Sequence, residues 1–309
     1  MKSFVLIPLI PLWLGAFLHQ DEPQDVLRFG VEVRTVYADV FVTYQGKPIV
    51  GLTAEDFELL DNGVPQDVEL MDTDAMGLST MLVVDTSDSV LGEKLDHLKA
   101  AAHAFVEGLA ANDEVGLLTF SRGMRLRREL GSDLGALHRT LDEPMEQGRT
   151  SLHDALYTGL KLAEARAGRP LVLLFTDGLD NTSWLTDSEL LEVARESEAV
   201  IHVVGVRPRF SIALRTSGRS ILGMAELGAS DFLQSIARET GGRVWYCDSG
   251  ADLKDIYLRI LAEVKSRYLL SYQPQSVSSE GWHTLEVRLK GDWGSEIRAR
   301  PGYLASPID

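Results

Sequence analysis

The feature that most limits the fold is a change of hydrophobic period along the chain. Between residues 78 and 265, short apolar runs such as Thr80–Val84 and Leu171–Phe175 alternate with longer segments such as Lys94–Ala111, which carry apolar residues on one side. The short runs are typical of buried parallel strands, and the longer segments are typical of amphipathic helices. Because parallel strands need helical crossovers, we predict an α/β domain with helices on both faces of a mostly parallel sheet over residues 78–265.

Both flanks of this region show the two-residue period of β-strands. Val31–Thr43 alternates apolar and polar residues, and Asp61-Asn62-Gly63 is a hairpin signal. The β pattern returns after Arg267. Because neither flank is large enough to bury a core alone, we predict that residues 28–75 and 268–305 pair into one small β-sandwich, with the α/β domain inserted between them.

The first twenty residues resemble a secretory signal peptide. Lys2 precedes Phe4–Leu18, a stretch of 15 residues without a charge. A membrane-spanning helix needs roughly 20 apolar residues, and Pro8 and Pro11 interrupt this stretch. We therefore predict that residues 1–20 direct export and are removed, which leaves a mature chain that does not span the membrane and lies in the periplasm or outside the cell. An uncleaved N-terminal anchor is the alternative.

Composition argues against two classes of partner. The chain has 30 Lys and Arg residues against 46 Asp and Glu residues, a formal net charge of −16, whereas binding to nucleic acid phosphates requires a basic surface. The sequence also lacks the Gly-x-x-x-x-Gly-Lys run that holds nucleotide phosphates. We therefore expect neither nucleic acid nor a nucleotide as a ligand. The one cysteine, Cys247, cannot form an intrachain disulfide, and its strand-like surroundings predict a buried thiol.

Three separated polar sequences are placed to meet at one edge of the predicted sheet. Asp85-Thr86-Ser87-Asp88-Ser89 follows one buried strand, Thr150 precedes a helix, and Asp177 follows another buried strand. Open α/β sheets bind ligands at the carboxyl ends of their strands. These side chains offer two carboxylates and three hydroxyls, an all-oxygen set that hard cations prefer. We predict a site for Mg²⁺, with Mn²⁺ or Ca²⁺ as alternatives, formed by Asp85, Ser87, Ser89, Thr150 and Asp177.

Each sequence taken singly is also typical of ordinary structure. Asp and Ser after a strand often cap the next helix, Thr150 is placed to cap the helix beginning near Ser151, and Asp177-Gly178 is a common turn. The order of the three sequences within an α/β pattern favours the metal site over capping alone. Two carboxylates would neutralise a divalent cation, and an open coordination position would take a carboxylate from a partner.

The arrangement resembles the von Willebrand factor type A domain and its metal-ion-dependent adhesion site, whose pattern is Asp-x-Ser-x-Ser, a distant Thr, and an Asp that begins Asp-Gly. The resemblance covers residues 78–264 and implies a doubly wound, Rossmann-like fold. It implies that the hydroxyls of Ser87, Ser89 and Thr150 contact the metal directly, and that Asp85 and Asp177 act directly or through water.

The flanks resemble those of bacterial exported proteins related to von Willebrand factor type A. Those proteins pair Leu-Thr-x-x-Asp-Phe near the start with Arg-x-Gly-Tyr at the end, and this chain has the two motifs at residues 52–57 and 300–303. The resemblance implies a non-enzymatic module that binds a protein partner through an exposed Asp or Glu. Further candidate contacts with that partner are Asp88, Asp180, Arg209 and Phe210.

Two questions stay open at this point. Asp88 stands where the family commonly has a small residue, and its carboxylate either strengthens cation binding or repels an acidic partner. The alternative function is an exported metal-dependent hydrolase that uses the same cation to activate water. Such an enzyme needs a positioned base, and no His, Lys or Glu has a sequence position that demands this role. The long segment 207–228, which contains Arg209 and Phe210, is a second candidate interaction region.

Overall fold

A computed structural model of the chain describes residues 35–88, 90, 92–176, 180–206, 231–247, 252–291 and 294–305. In this part of the chain, no helix combines the length and the hydrophobicity needed to cross a bilayer. The predicted signal peptide, residues 1–20, lies outside the described residues.

The strands are β1 (Val36–Tyr44), β2 (Lys47–Pro48), β3 (Phe57–Asp61), β4 (Val64–Gln66), β5 (Glu69–Met71), β6 (Leu78–Asp85), β7 (Glu114–Phe120), β8 (Met124–Arg128), β9 (Arg169–Thr176), β10 (Val200–Val206), β11 (Val244–Cys247), β12 (Tyr268–Tyr272), β13 (Gly281–Leu289), β14 (Glu296–Arg298) and β15 (Gly302–Ala305).

Seven helical segments accompany these strands within the described residues. They are α1 (Thr73–Met76), α2 (Glu93–Glu107), α3 (Leu134–Asp142), α4 (Leu152–Ala163), α5 (Asp187–Glu196), α6 (residues 231–239) and α7 (Leu253–Lys265). A single 3₁₀ turn, Ala54–Asp56, precedes β3. The predicted helix Lys94–Ala111 is present as α2, with its ends shifted by a few residues, and the helix predicted to begin near Ser151 is present as α4.

The central sheet has six strands in the order β11, β10, β9, β6, β7, β8. All neighbours are parallel except β8, which runs antiparallel to β7 at the edge. Every residue of β6 is buried, because helices cover both faces of the sheet. Helices α2, α3 and α7 pack on one face, and α4, α5 and α6 pack on the other. The predicted fold class, a doubly wound α/β domain inserted into a flanking β-sandwich, is confirmed.

The sandwich is built from both ends of the described chain. One sheet has the order β14, β1, β12, β5, with β2 beside β1, and the other has the order β15, β13, β3, β4. Each sheet therefore pairs strands that precede the α/β domain with strands that follow it; Ala38 of β1 faces Leu270 of β12, and Leu59 of β3 faces Val287 of β13. Phe57, Leu59 and Leu270 are among the buried residues between the sheets. Because each sheet needs both segments, the inserted domain starts and ends on the sandwich.

A buried polar cluster joins the two segments inside the sandwich. The Asp61 carboxylate accepts hydrogen bonds from the hydroxyls of Tyr272 (2.8 Å) and Tyr303 (2.9 Å), and it lies 2.7 Å from Nδ1 of His283. Burial, followed by the hydrogen bond to Asp61, raises the pKa of Tyr272. The pairing of a buried carboxylate with three distant donors lowers the cost of burying each polar group.

A second buried cluster connects α7 to the sandwich. The Glu263 carboxylate accepts a hydrogen bond from Arg298 of β14 and another, of 3.2 Å, from Nη1 of Arg267. Arg267 also donates to the carboxylate of Asp39 on β1. The Arg243 guanidinium lies 3.5 Å from the second carboxylate oxygen of Glu263. Because Glu263 is buried, this cluster of three arginines and two carboxylates fixes the end of α7 against the sandwich.

Candidate metal centre

Asp85 is the last residue of β6, and its carboxylate is held at the carboxyl edge of the sheet. One carboxylate oxygen accepts the backbone N–H of Ser87 (2.8 Å), and the other accepts the hydroxyl of Thr176, the last residue of β9 (2.9 Å). The backbone N–H and the hydroxyl of Thr86 both donate to the carbonyl of Phe120, at the end of β7. The ends of three neighbouring strands are thereby joined around Asp85, whose exposed fraction is 0%.

Hydrogen bonds also join the three loops that carry the predicted ligands. The backbone N–H of Asp88 donates to the carbonyl of Gly148 (3.1 Å), which connects the loop after β6 to the loop before α4. The Thr150 N–H donates to the side-chain oxygen of Asn181 (3.1 Å), and the Thr150 carbonyl accepts the N–H groups of Asn181 and Thr182 (both 3.1 Å). The loop after β9 is therefore fixed against Thr150.

Two further carboxylates hold the loop after β9 onto the start of α4. Asp180 accepts the N–H of Leu152 (2.7 Å) and the hydroxyl of Ser183 (2.6 Å), and Asp154 accepts the N–H groups of Trp184 and Leu185 (3.1 Å each). A carboxylate near the first turn of a helix is favoured by the helix dipole. Neither Asn181 nor Asp154 was predicted as part of the site. The one sequence signal for Asp154 was its position in the first turn of a predicted helix.

The structure brings together the predicted ligands that it describes. Asp85, Ser87 and Thr150 are all buried at one edge of the sheet, with exposed fractions of 0%, 2% and 4%. Two other predicted ligands, Ser89 and Asp177, lie outside the described residues, as do the predicted partner contacts Arg209 and Phe210. Asp88 is exposed, and Asp180 is partly buried with its carboxylate in the hydrogen bonds above. Their roles in partner binding stay predictions.

The chemistry of the described donors fits a hard divalent cation. Asp85, Ser87 and Thr150 offer oxygen only, and all three are short side chains on closely joined loops, which suits the small radius of Mg²⁺. Within the described ranges, no group of three or more His, Cys, Asp or Glu side chains is arranged to hold a metal ion. The five predicted ligands are not a cluster of that kind, because three of them are hydroxyls of Ser or Thr.

The histidine nearest to this edge is engaged in packing. His153 is buried, its Nδ1 lies 2.9 Å from the carbonyl of Leu185, and its Nε2 lies 3.3 Å from the carboxylate of Asp187. The neighbouring hydroxyl of Ser151 donates to the carbonyl of Ser121 (2.9 Å). Both side chains therefore connect α4 to adjacent loops.

The parallel sheet, the helices on both faces and the crossovers between its strands define a doubly wound α/β domain. Residues 80–179 match the family model of the von Willebrand factor type A domain. The chain therefore contains a von Willebrand factor type A domain, inserted into a β-sandwich. No curated protein matches the sequence of this chain.

Solved structures with related folds share little sequence with this chain. A von Willebrand factor type A protein from Catenulispora acidiphila aligns at 12% identity and a TM-score of 0.52, covering 89% of this chain and 75% of its own. An aerotolerance-related membrane protein from Bacteroides fragilis aligns at 18% identity and a TM-score of 0.47, covering 61% of this chain and 99% of its own. The protein BatB from Bacteroides thetaiotaomicron aligns at 20% identity and a TM-score of 0.46, covering 61% of this chain and 100% of its own. The Catenulispora structure supports the fold of both parts of this chain.

Proposed function

We propose that this chain is an exported, non-enzymatic module that binds a protein partner through a divalent cation held at the carboxyl edge of its von Willebrand factor type A domain. The observation that supports the proposal most directly is the arrangement around Asp85. Its buried carboxylate is oriented by Ser87 and Thr176, and hydrogen bonds hold the loop of Ser87 close to the loop of Thr150. Such an arrangement orients short oxygen ligands before a cation arrives.

Asp85, Ser87, Ser89, Thr150 and Asp177 would hold the ion, with Mg²⁺ as the first choice. A bound divalent cation would supply an electrophilic coordination position for a carboxylate of the partner. The loops that carry these residues would hold that position at the carboxyl edge of the sheet. A partner with an exposed Asp or Glu is therefore the chemistry that the site fits, and the predicted signal peptide at residues 1–20 would bring the chain to the periplasm or the outside of the cell.

Calorimetric titration with Mg²⁺ and with Mn²⁺ tests the metal site. We expect the unaltered chain to bind one of these ions, and we expect Ser87→Ala and Thr150→Ala each to weaken binding at least about tenfold, because each removes one ligand. Ser151→Ala is the matched control, since it removes a neighbouring buried hydroxyl that donates to Ser121. Equal affinity in the unaltered chain and in both ligand variants would remove the assignment.

Turnover assays separate binding from hydrolysis. With broad esterase, phosphatase and peptidase substrates and saturating Mg²⁺, we expect no rate above that of the Asp85→Ala variant. A metal-dependent rate that this variant loses would replace the binding function by the hydrolase alternative.

A further inference from the structure

Trp184 is unusually exposed for a tryptophan. It lies in the loop after β9, beside Asn181 and Thr182, whose backbone N–H groups donate to the carbonyl of Thr150, and its exposed fraction is 94%. Its backbone is nevertheless held in place, because both oxygens of Asp154 accept its N–H at 3.1 Å. The structure therefore fixes the backbone of this residue while leaving its indole ring in solvent, at a cost in apolar exposure.

Other apolar side chains extend this surface along α4. Tyr157 is exposed, and it follows Asp154 by three residues, so the two lie on neighbouring positions of the helix surface. Thr158, one residue further, donates its hydroxyl to the carbonyl of Asp154 (2.8 Å) and lies 3.4 Å from the sulfur of Met124. Met124 is also exposed. We call Met124, Tyr157 and Trp184 the α4 patch; it begins at the same helix end as the candidate metal centre.

Two exposed arginines lie beside Thr150, at the same edge as the exposed Asp88, whose backbone N–H donates to the carbonyl of Gly148. Arg122 and Arg149 are both exposed; Arg149 follows Gly148 in the chain, and an added Cβ on Gly148 would lie 3.3 Å from Cβ of Arg122. Among the described residues, neither arginine forms an ion pair with a carboxylate. Arg122 and Arg149 therefore present two cationic groups to a carboxylate of a partner that approaches this edge.

We propose that the α4 patch is a docking surface for a protein segment in which an apolar side chain lies close to the acidic residue taken by the metal centre. Trp184 is the main anchor, because tryptophans that become fully covered contribute a large share of binding energy at protein interfaces. The patch then sets specificity, since the cation alone would accept any exposed Asp or Glu. This inference rests on the proposed function and names the kind of partner that it takes.

Selection of peptides tests the inference with the whole chain. A displayed library of random peptides is selected on the unaltered chain, on Trp184→Ala and on Tyr44→Ala, each in Mg²⁺ and in chelator. Tyr44 is the control because it is another exposed aromatic, on β1 in the sandwich. We expect peptides from the unaltered chain and from Tyr44→Ala to be enriched in an acidic residue with an apolar neighbour. Peptides selected on Trp184→Ala should keep the acidic residue and lose the apolar neighbour. The affinity of Trp184→Ala for the peptides selected on the unaltered chain should fall about tenfold or more.

The outcomes distinguish this inference from the proposed function. Two outcomes would overturn the docking surface and leave the metal-dependent function standing. In the first, acidic peptides are selected only in Mg²⁺ but lack apolar neighbours. In the second, Trp184→Ala selects the same apolar neighbours as the unaltered chain. Selection that is unaffected by chelator, or that yields no enrichment, would overturn both. Because Trp184 is exposed, its replacement should not alter folding; equal Mg²⁺ affinity and equal thermal stability of Trp184→Ala and the unaltered chain check this.

Discussion

Replacing Glu263 by Gln would test the cluster that connects α7 to the sandwich. The substitution keeps the volume of the side chain and removes one of two carboxylates that face the three guanidinium groups of Arg243, Arg267 and Arg298. Asp39 would remain as the other carboxylate of the cluster. Glu263 is 3% exposed, so solvent cannot compensate for the lost charge. Removing one partner of a buried ion pair costs about 3–5 kcal/mol.

Differential scanning calorimetry and urea unfolding would measure this loss. In a domain of roughly 150–250 residues, 1 kcal/mol shifts the Tm by about 2–4 °C, so Glu263→Gln should lower the Tm by about 6–20 °C. The control is Glu58→Gln, since Glu58 lies 3.8 Å from Arg288 and the two side chains are 42% and 53% exposed. An exposed pair contributes about 0–1 kcal/mol. If the two variants lose the same stability, the carboxylate of Glu263 does not hold the arginines, and the reasoning is refuted.

Two further perturbations act on the central sheet. Burial, followed by the charges of Arg267, Arg298 and Arg243, lowers the pKa of His202 well below its usual value, so the unfolded chain takes up a proton below about pH 6.5 that the native protein does not. The free energy of unfolding should therefore fall as the pH drops below about 6.5, and His202→Gln should reduce that slope in urea titrations; an unchanged slope would contradict the assignment. Gly242→Ala would place Cβ 1.9 Å from the carbonyl oxygen of Ile201 and should destabilise the protein by about 1–3 kcal/mol or more in thermal unfolding. Gly123→Ala, which meets nothing within 4 Å, should change stability little, and equal losses in the two variants would refute the clash.

The elements that were predicted well have local causes. The apolar runs Thr80–Val84 and Leu171–Phe175 lie inside β6 and β9, and the return of the β pattern after Arg267 corresponds to β12, Tyr268–Tyr272. The predicted helix Lys94–Ala111 is instead Glu93–Glu107. It ends at the cap residue Gly108, and beyond the helix Asp113 accepts the N–H groups of Ala110 and of Leu78, which lies 35 residues away. The pattern of apolar residues contains no sign of that second bond.

The sequence predicted the residue types of the candidate site, but not the hydrogen bonds that hold its loops in place. The spacing of Asp85 and Ser87, and their position after an apolar run, placed them at the carboxyl edge of a sheet. Asn181 and Asp154 fix that edge through backbone groups about 30 residues away in the chain, and such contacts leave no periodic signal. Residues 124–128 form β8, the antiparallel edge strand of the sheet, which carries Arg125, Arg127 and Arg128.

The sequence by itself determined the order of β and α/β regions, the parallel character of the central sheet and the polar residues at its carboxyl edge, because hydrophobic period and strand position are local properties of the chain. The tertiary structure alone decided which charged and aromatic residues are covered. Glu263 belongs to an amphipathic helix, yet it is buried, because Arg298 and Arg267 reach it from the sandwich. Trp184 carries a large aromatic ring, yet it is exposed; Asp154 accepts its backbone N–H while the ring stays in solvent. Burial of a charge and exposure of a ring depend on partners far away in the chain, and only folding brings those partners together.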